Sequence, residues 1–333
     1  MRSMRWRSPR DLLFSSEDFT QTRQLKPRPR DINIRKLIHI TEDRHLTPIR
    51  AVALAALLSA SGSAQPIEAK LNDFTIAVDD LPAAKRLYSS LGFLMTGGRS
   101  GNSGEIDNSM SAFRDGGGLA LFATRERVKA GDSQTDLEIV SAEQVARELN
   151  RAGLKMNDPR PGSRTWNLTN GPVTTKWLSL RFAEHVNSRP VYFVQILDVA
   201  AFRIARPRPA QPNSAISLSA LLIAVNDPDK AAAGYGNIGK LSPTEIKLPE
   251  FGAFAKEIIL ARGSIFLLRS ADPSGPTAQH LKSRGEGILG VRLAVSDLDQ
   301  TRKVIGEKNI SKDKRFVLVS PENAAGAWLQ FLR

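Results

Sequence analysis

The chain lacks cysteine and has few histidines. Without a thiol among its 333 residues, disulfide bonds, a thiolate nucleophile and cysteine-ligated zinc are excluded. Two of the four histidines, His39 and His45, lie in the first 50 residues, and the other two, His185 and His280, fall in predicted loops without a partner at a catalytic spacing. The sequence therefore offers little for a histidine-rich metal site.

Aromatic residues are also scarce, at 6% of the chain, and no stripe of Lys and Arg is interleaved with them. Proteins that bind single-stranded nucleic acid use such stripes, so nucleic acid is not a predicted partner. The net charge is +13, and the first 50 residues hold 12 basic against 6 acidic side chains, so six of those charges lie in this segment. The remaining positive charge predicts a scattered basic surface.

The N-terminal region has the pattern of an export signal. Residues 1–50 form a basic extension, and 51–64 supply an apolar run followed by small residues, with a predicted cleavage after Ala64. The run is too short to span a bilayer as a mature helix, so no integral membrane segment is expected after cleavage, and the predicted location is periplasmic or secreted. The basic extension before the signal is explained either by an over-extended start, which we favour, or by a targeting extension of the transit-peptide kind. The alternative to a signal is an apolar N-terminal helix of a cytoplasmic protein.

What dominates the rest of the chain is internal repetition. A short apolar strand, an acidic or polar turn and an amphipathic helix recur four times, and the equivalent valines are Val78, Val140, Val225 and Val295. Their spacings of 62, 85 and 70 residues suit small sheet-and-helix modules and are too long for a solenoid. Hydrophobic residues make up 41% of the chain and charged residues 24%, which is enough for one large or two ordinary cores.

Each repeat predicts a strand, a helix and further strands. The first helix begins at Asp80-Leu-Pro and ends at Gly92, and a turn at Asn170-Gly-Pro joins two strands of the second repeat as a hairpin. Predicted strands in the first two repeats are 72–78, 109–113, 119–124, 164–168, 176–182 and 191–197, and a helix is predicted over 142–151. Gly97 to Gly104 predicts a surface loop, with a lid as one interpretation.

Proline divides the chain into two halves. The run Arg206-Pro-Arg-Pro-Ala-Gln-Pro-Asn suits neither a helix interior nor a central strand. We therefore predict one pair of modules over 71–200, a Pro-rich linker over 201–214 and a second pair over 215–333. The predicted class is α+β, with four βαβββ-type modules in two pairs, each pair forming a curled, cup-shaped mixed sheet with its helices outside.

These phrases resemble the vicinal oxygen chelate superfamily, the glyoxalase, bleomycin resistance and extradiol dioxygenase fold. The resemblance lies in Ile76-Ala-Val-Asp-Asp-Leu-Pro with Leu91-Gly-Phe, in Ile223-Ala-Val-Asn-Asp-Pro and in Leu293-Ala-Val-Ser-Asp-Leu-Asp. Two further stretches look like the glyoxalase-like group: Gly162-Ser-Arg-Thr-Trp with Lys176-Trp-Leu-Ser-Leu-Arg-Phe-Ala, and Tyr192-Phe-Val-Gln-Ile followed by Gln211-Pro-Asn. The resemblance covers roughly Leu71 to the C-terminus.

The resemblance implies a divalent metal inside the cup, held by His, Gln or Glu from the first and last strands of the modules. The matching first-strand positions are Asp73, Thr135, Ala220 and Gly290. The matching last-strand positions are Ala120, Gln195, a residue of Ile265-Phe-Leu-Leu, and Gln330. These do not assemble a full ligand set in either pair, so no cofactor is predicted, and a divalent metal stays an open alternative.

Two groups of side chains are the candidate site. Asp73 and Gln195 are predicted to face the first cup and to hold a substrate hydroxyl or a metal, or else to be ordinary structural polar residues. Arg164, Trp177 and Arg181 are predicted to offer cations and an aromatic wall to an acidic or planar ligand, or else to lie on a solvated face. Alternation puts Trp177 and Arg181 on one face of their strand.

Three functions follow from these residues. The first is a lyase-, isomerase- or dioxygenase-like enzyme of the vicinal oxygen chelate type, acting on a small oxygenated metabolite. The second is a metal-free protein that binds or sequesters a small molecule in its cup. The third is an association module in which both cups are filled and an apolar patch is exposed. A homodimer is open in each case.

Overall fold

A computed structural model describes residues 67–99, 107–123, 131, 133–184, 186, 190–235 and 237–333. The predicted basic extension (1–50), the signal region (51–64), His185 and most of the predicted 97–104 loop lie outside these residues. The start of that loop is described and is a strand, Thr96–Arg99, because it pairs with the strand beginning at Asp107. No helix in the described part of the chain is long and apolar enough to cross a membrane.

The first module is a strand, a helix and three strands. Its elements are β1 (Ala69–Val78), α1 (Leu81–Ser90), β2 (Thr96–Arg99), β3 (Asp107–Ala112) and β4 (Gly118–Ala123). Asp80 caps α1 by accepting a hydrogen bond from the Ala83 N–H at 2.8 Å, and Pro82 occupies the first turn. Gly92, with φ of +80°, ends the helix where a side chain would be strained.

The second module repeats this order. It contains β5 (Ser133–Ile139), α2 (Ala142–Arg151), β6 (Arg160–Leu168), β7 (Gly171–Leu180) and β8 (Val191–Ile196). Helix α2 has the predicted bounds, and the predicted hairpin turn joins β6 to β7, where Leu168 pairs with Gly171.

These strands form one eight-stranded sheet in the order β2-β3-β4-β1-β5-β8-β7-β6. The two modules meet where β1 pairs with β5 antiparallel, and each first strand pairs with its module's last strand in parallel. The sheet is strongly curled, as the contact between Arg164 on the edge strand β6 and Asn108 on β3 shows. Strand β3 is the second strand from the opposite edge. The concave side of this sheet is called cup 1 below.

The second half builds another sheet in the same way. Helix α3 (Val199–Ala205) precedes this half. The third module contains β9 (Ala215–Ala224), α4 (Pro228–Ala233), β10 (Lys240–Leu241), β11 (Ile246–Leu248), β12 (Ala253–Ile259) and β13 (Ser264–Ser270). Helix α5 (Pro276–Arg284) leads to the fourth module, which contains β14 (Gly287–Val295), α6 (Leu298–Ile305), β15 (Phe316–Val319) and β16 (Trp328–Leu332). The strand order is β10-β12-β13-β9-β14-β16-β15, with β11 also paired to β12. The concave side of this sheet is cup 2.

One hydrophobic core joins the two sheets on their helix-covered faces. It includes Phe74 and Tyr88 of the first pair with Val291 and Phe331 of the second. The Tyr88 hydroxyl donates to the Ala324 carbonyl at 2.9 Å across this junction. The pairs are therefore packed into one folded unit and are not independent lobes.

The predicted linker over 201–214 is part of this packing. Its first residues belong to helix α3, and Arg206, Gln211 and Asn213 within it are buried. The Gln211 amide contacts the Leu94 N–H and the Ala112 carbonyl, and Asn213 donates to the Leu91 carbonyl. Its prolines do prevent helix and strand over 206–214, but its polar side chains tie it into the first sheet.

Candidate functional site in cup 1

A β-bulge lies at Asp73, the central side chain of cup 1. Leu71 pairs with Leu137 and Phe74 with Thr135, so Asn72 and Asp73 of β1 together lie opposite the single residue Asp136 of β5. Phe74 points into the helix-side core, and Asp73 therefore points into the cup. A bulge of this kind bends a strand and redirects a side chain, and it frequently lies beside a functional site.

Asp73 is paired with an arginine from the segment after α3. Arg206 donates from Nη1 to Oδ2 at 2.9 Å and from Nη2 to Oδ1 at 2.7 Å, and only 4% of Arg206 is exposed. Gly118 beside them makes room, since a Cβ there would lie 2.6 Å from the Arg206 Nη2 and 2.8 Å from the Asp73 Oδ1. This two-point geometry is the strong form of a guanidinium–carboxylate pair.

Asp136 is a second, fully enclosed carboxyl in the same cluster. Its Oδ1 accepts from the Asn72 side chain at 3.0 Å and from the Asp73 N–H at 2.6 Å, and its Oδ2 accepts from the Tyr192 hydroxyl at 3.3 Å. Burial, followed by repulsion from the Asp73 carboxylate, raises the pKa of Asp136 to about 7. The group therefore titrates near neutral pH.

Tyr192 and Arg181 extend the cluster toward the cup rim. Burial, followed by the nearby Asp136 and Asp73 carboxylates, raises the pKa of Tyr192 well above its ordinary value, so its hydroxyl stays protonated and donates. The Arg181 guanidinium lies 4.8 Å from the centre of the Tyr192 ring. Arg181 is exposed, and it is therefore available to a ligand at the rim.

Arg164 carries a positive charge without a carboxylate partner among the described residues. Its guanidinium stacks 3.8 Å above the Trp166 ring, Nη2 makes a long 3.4 Å contact with the Asn108 Oδ1, and Nε is buried without a hydrogen bond. Burial, followed by repulsion from Arg206, lowers the pKa of Arg164 from its ordinary value. An anion beside Arg164 would relieve both effects.

Trp177 lies on the same concave face. Strand pairing sets Trp177 against Gly162 and Arg164 against Thr175, so the indoles of Trp166 and Trp177 and the two arginines share one side of the β6–β7 hairpin, as alternation predicts. A Cβ on Gly162 would lie 2.5 Å from the Trp177 ring, so this glycine lets the indole lie flat on the hairpin. Arg164, Trp166, Trp177 and Arg181 are called the arginine–tryptophan face.

Gln195 does not join Asp73. It lies two residues beyond Phe193, which packs in the helix-side core, and its Oε1 accepts from the Ala142 N–H at 2.9 Å. This bond satisfies a free donor in the first turn of α2. The prediction that Gln195 faces the cup is wrong, because the side chain lies on the opposite face of β8.

The donors in cup 1 do not fit a divalent metal. Both Asp73 oxygens are bound by Arg206, and both Asp136 oxygens accept hydrogen bonds from protein donors. A cation would have to displace a buried guanidinium, and within the described residues no group of three His, Asp or Glu side chains gathers in one place. The open alternative of a metal on Asp73 and Gln195 has no support in this geometry.

Cup 2 is closed by apolar side chains. Leu222, Phe251, Phe266 and Leu289 are among its core residues, and the turn Pro249–Phe251 and helix α5 cover it. Its polar contacts include those of Arg292, which donates to Gln330 at 2.5 Å and to Glu250 at 3.3 Å, and of Gln330, which donates to Glu250 at 2.8 Å. This is the filled cup that the third hypothesis requires, found in the second pair.

Sequence reasoning missed three members of the cluster: Asp136, Tyr192 and Arg206. Asp136 follows directly on the predicted position Thr135, and it faces the cup because it alternates with Leu137 and Ile139, which pack in the helix-side core. Arg206 lies 133 residues from Asp73 in a segment that proline content marked as a linker. Tyr192 begins the stretch Tyr192-Phe-Val-Gln-Ile that resembles the glyoxalase-like group, and that resemblance was the signal available for it.

This architecture is α+β, with two pairs of modules that each form a curled mixed sheet, which is the arrangement that the resemblance to the vicinal oxygen chelate superfamily implies. The described structure is similar to that of a hypothetical protein from Staphylococcus aureus, with a TM-score of 0.54 and 9% sequence identity over 79% of this chain and 98% of that one. At this identity the likeness concerns the fold alone.

Smaller solved structures match about a third of the chain. Methylmalonyl-CoA epimerase from Mycobacterium tuberculosis is 22% identical over 36% of this chain and 88% of its own, with a TM-score of 0.31. A hypothetical protein from Bacillus halodurans is 23% identical over 35% of this chain and 92% of its own, with a TM-score of 0.30. No protein-family model and no curated protein sequence matches the chain.

Proposed function

We propose that this protein binds a small planar acid in cup 1 without a metal. The observation that carries the proposal is Arg164, a half-buried cation that stacks on Trp166, has a buried Nε without an acceptor, and contacts no carboxylate among the described residues. Burying an unpaired charge is costly, and a carboxylate ligand would supply the missing partner.

The surroundings of Arg164 set the chemical class of the ligand. Trp166 and Trp177 present ring faces on the same side of the hairpin, and Arg181 adds a second cation at the rim. Aromatic faces favour a flat ligand, and guanidinium groups favour a carboxylate in two-point contact. The arginine–tryptophan face therefore suits an aromatic or otherwise planar carboxylic acid.

Binding is better supported than turnover. Asp73, the one carboxylate at a position that the superfamily pattern would assign to chemistry, is bound by Arg206 through both oxygens, and each oxygen of Asp136 already accepts a hydrogen bond from Asn72 or Tyr192. Binding, in contrast, needs only the donors of Arg164 and Arg181. We therefore favour the metal-free binding protein over the enzyme.

Calorimetric titration of the full-length chain with benzoate, after chelator treatment and dialysis, tests this function. We expect benzoate to bind and benzamide, its uncharged analogue, to bind much more weakly. Arg164→Met should weaken benzoate binding by about 10- to 150-fold, since a hydrogen bond to a charged group contributes about 1.5–3 kcal/mol.

Arg147→Met is the matched control, because Arg147 is an exposed arginine on α2 outside the cup. It should leave benzoate affinity unchanged. Equal binding of benzoate and benzamide, or an undiminished affinity in Arg164→Met, would contradict a carboxylate site at Arg164.

A further inference from the structure

Arginines converge on the turn Asp115–Gly118, at the end of cup 1 where the first sheet meets the second. A Cβ on Gly116 would lie 2.9 Å from the Arg208 Nη2, so the guanidinium rests directly on this turn. Arg262, from the second sheet, donates to the Asp115 carbonyl at 2.7 Å and to the Leu71 carbonyl at 2.9 Å. Arg206 lies against Gly118 in the same region.

Donors in this cluster lack acceptors. Within the described residues, the Nε atoms of Arg206 and Arg208 are buried without a hydrogen-bond acceptor. Arg206 as a whole is almost completely buried. Arg208 is half-buried, and it donates no hydrogen bond to any residue in the described part of the chain. Buried guanidinium donors are normally satisfied, so unpaired ones point to a missing acceptor.

Positive charge is in excess at the same place. Four arginines, Arg203, Arg206, Arg208 and Arg262, lie near three carboxylates. Arg206 binds Asp73, which lies against Asp136, and Asp115 forms a 3.4 Å ion pair with Arg262. Burial, followed by repulsion from Arg206 and Arg203, lowers the pKa of Arg208. Among the described residues, neither Arg208 nor Arg203 forms an ion pair with an acidic side chain, because the nearby Asp73 and Asp115 pair with Arg206 and Arg262.

We propose that Arg208, with Arg203, forms a second anion site that binds a phosphate group or a similar tetrahedral oxyanion at the junction of the two sheets. A tetrahedral oxyanion offers several acceptor oxygens to neighbouring guanidinium forks, and arginine clusters suit it for that reason. Arg203 is exposed and Arg208 half-buried, so the site opens to solvent.

This site is separate from the arginine–tryptophan face. Asn108, which Arg164 contacts, pairs with Phe122 near the far end of β4, whereas Arg208 rests on the turn that precedes Gly118. Four residues of strand separate the two points, which is a distance of about 13 Å. The inference therefore goes beyond the proposed binding of a planar acid and does not depend on it.

A bound oxyanion would also link the two sheets. Arg208 belongs to the segment after α3, and Arg262, on the same turn, belongs to the second sheet. Because a ligand that binds only the folded state stabilises it, phosphate should raise the thermal midpoint of the full-length chain.

Thermal unfolding with increasing inorganic phosphate, against sodium chloride at matched ionic strength, tests the site. We expect phosphate to raise the midpoint by about 2–4 °C at ten times its dissociation constant, and chloride to leave it unchanged. Arg208→Gln should abolish the phosphate effect, and Arg208→Lys, which keeps the charge but loses the fork, should retain part of it. Arg203→Gln should weaken phosphate binding several-fold.

Arg86→Gln, an exposed arginine on α1, and Arg164→Met are the controls, and both should keep the full phosphate effect. Should Arg208→Gln fail to fold, the exposed Arg203→Gln decides the question. The site is disproved if phosphate gives no shift beyond chloride, or if Arg203→Gln and Arg208→Gln respond as the unchanged protein does. Loss of benzoate binding in Arg164→Met with an intact phosphate effect would separate the two proposals.

Discussion

The two cups share one topology and differ in what fills them. Cup 1 holds buried charge, with Asp73, Asp136 and Arg206 in one hydrogen-bonded cluster. Cup 2 holds leucine and phenylalanine, with a polar cluster of Arg292, Glu250 and Gln330 at its side. The same strand framework can therefore be closed by apolar packing or kept polar, and only the polar cup retains groups that recognise a ligand.

The covering segments differ in the same way. The turn over cup 2 buries Phe251, which meets the Trp328 ring edge-on with centroids 6.0 Å apart. The segment over cup 1 is anchored by Arg206, while Val199 and Ile204 on α3 are half-exposed. Apolar burial is non-directional, whereas an ion pair depends on both partners, so the two closures should fail under different substitutions.

Arg206→Met should have the largest effect, because it leaves the Asp73 carboxylate buried without its partner. We expect the free energy of unfolding to fall by roughly 3–5 kcal/mol, measured by urea denaturation. The double variant Asp73→Leu/Arg206→Met should recover most of that loss, since it removes both charges. A single-variant cost below about 1 kcal/mol would mean that the pair does not hold the segment in place.

Leu222→Ala makes the corresponding change in cup 2. Leu222 is fully buried in the apolar cluster, and its truncation should cost about 3 kcal/mol through lost burial and a residual cavity. The cost should be equal at pH 5 and pH 8, because no titrating group is involved. Val199→Ala, on the exposed side of α3, should change stability by less than about 0.5 kcal/mol, and a comparable loss there would count against the contrast.

The sequence predicts the modules well because their signals are local. Asp80 with Pro82, and the turn at Asn170-Gly-Pro, fix element ends through nearby backbone bonds, and the structure confirms the helix and the hairpin that they indicate. Trp177 and Arg181 share a face for the same reason, since alternation along one strand is also a local property.

The site itself was less predictable, because its contacts are distant in sequence. Counting back from Val140 selected Thr135, but Leu137 and Ile139 are the residues of β5 that pack in the helix-side core, so alternation directs Asp136 into the cup and Thr135 away from it. The bulge at Asn72 and Asp73 then sets both of these β1 residues opposite Asp136. The Arg206 contact with Asp73 depends on the packing of α3, which proline content obscured. No local pattern encodes the Arg206 contact.

Asp136→Asn gives the most diagnostic effect, because its size depends on pH. In the unfolded chain this carboxyl has an ordinary pKa near 4, and in the folded protein its pKa is about 7. Below about pH 4 the group is protonated in both states and costs nothing. As the pH rises from 4 to 7 the unfolded chain ionises first, so folding loses up to about 1.4 kcal/mol per pH unit from this group, and above pH 7 the loss is constant.

Asn cannot ionise, so this variant should be more stable than the unchanged protein at pH 8, by up to about 4 kcal/mol, and should lose that advantage as the pH falls to about 4. Its oxygen can still accept from Asn72 and the Asp73 N–H, and its amide can donate to Tyr192. Urea denaturation at pH 5, 6.5 and 8 measures the difference. Glu138→Gln, on the same strand, leaves Asp136 intact and is the control, which should keep the original pH dependence. If the free energy of unfolding of Asp136→Asn changed with pH as steeply as that of the unchanged protein, the buried charge of cup 1 would not set the pH response.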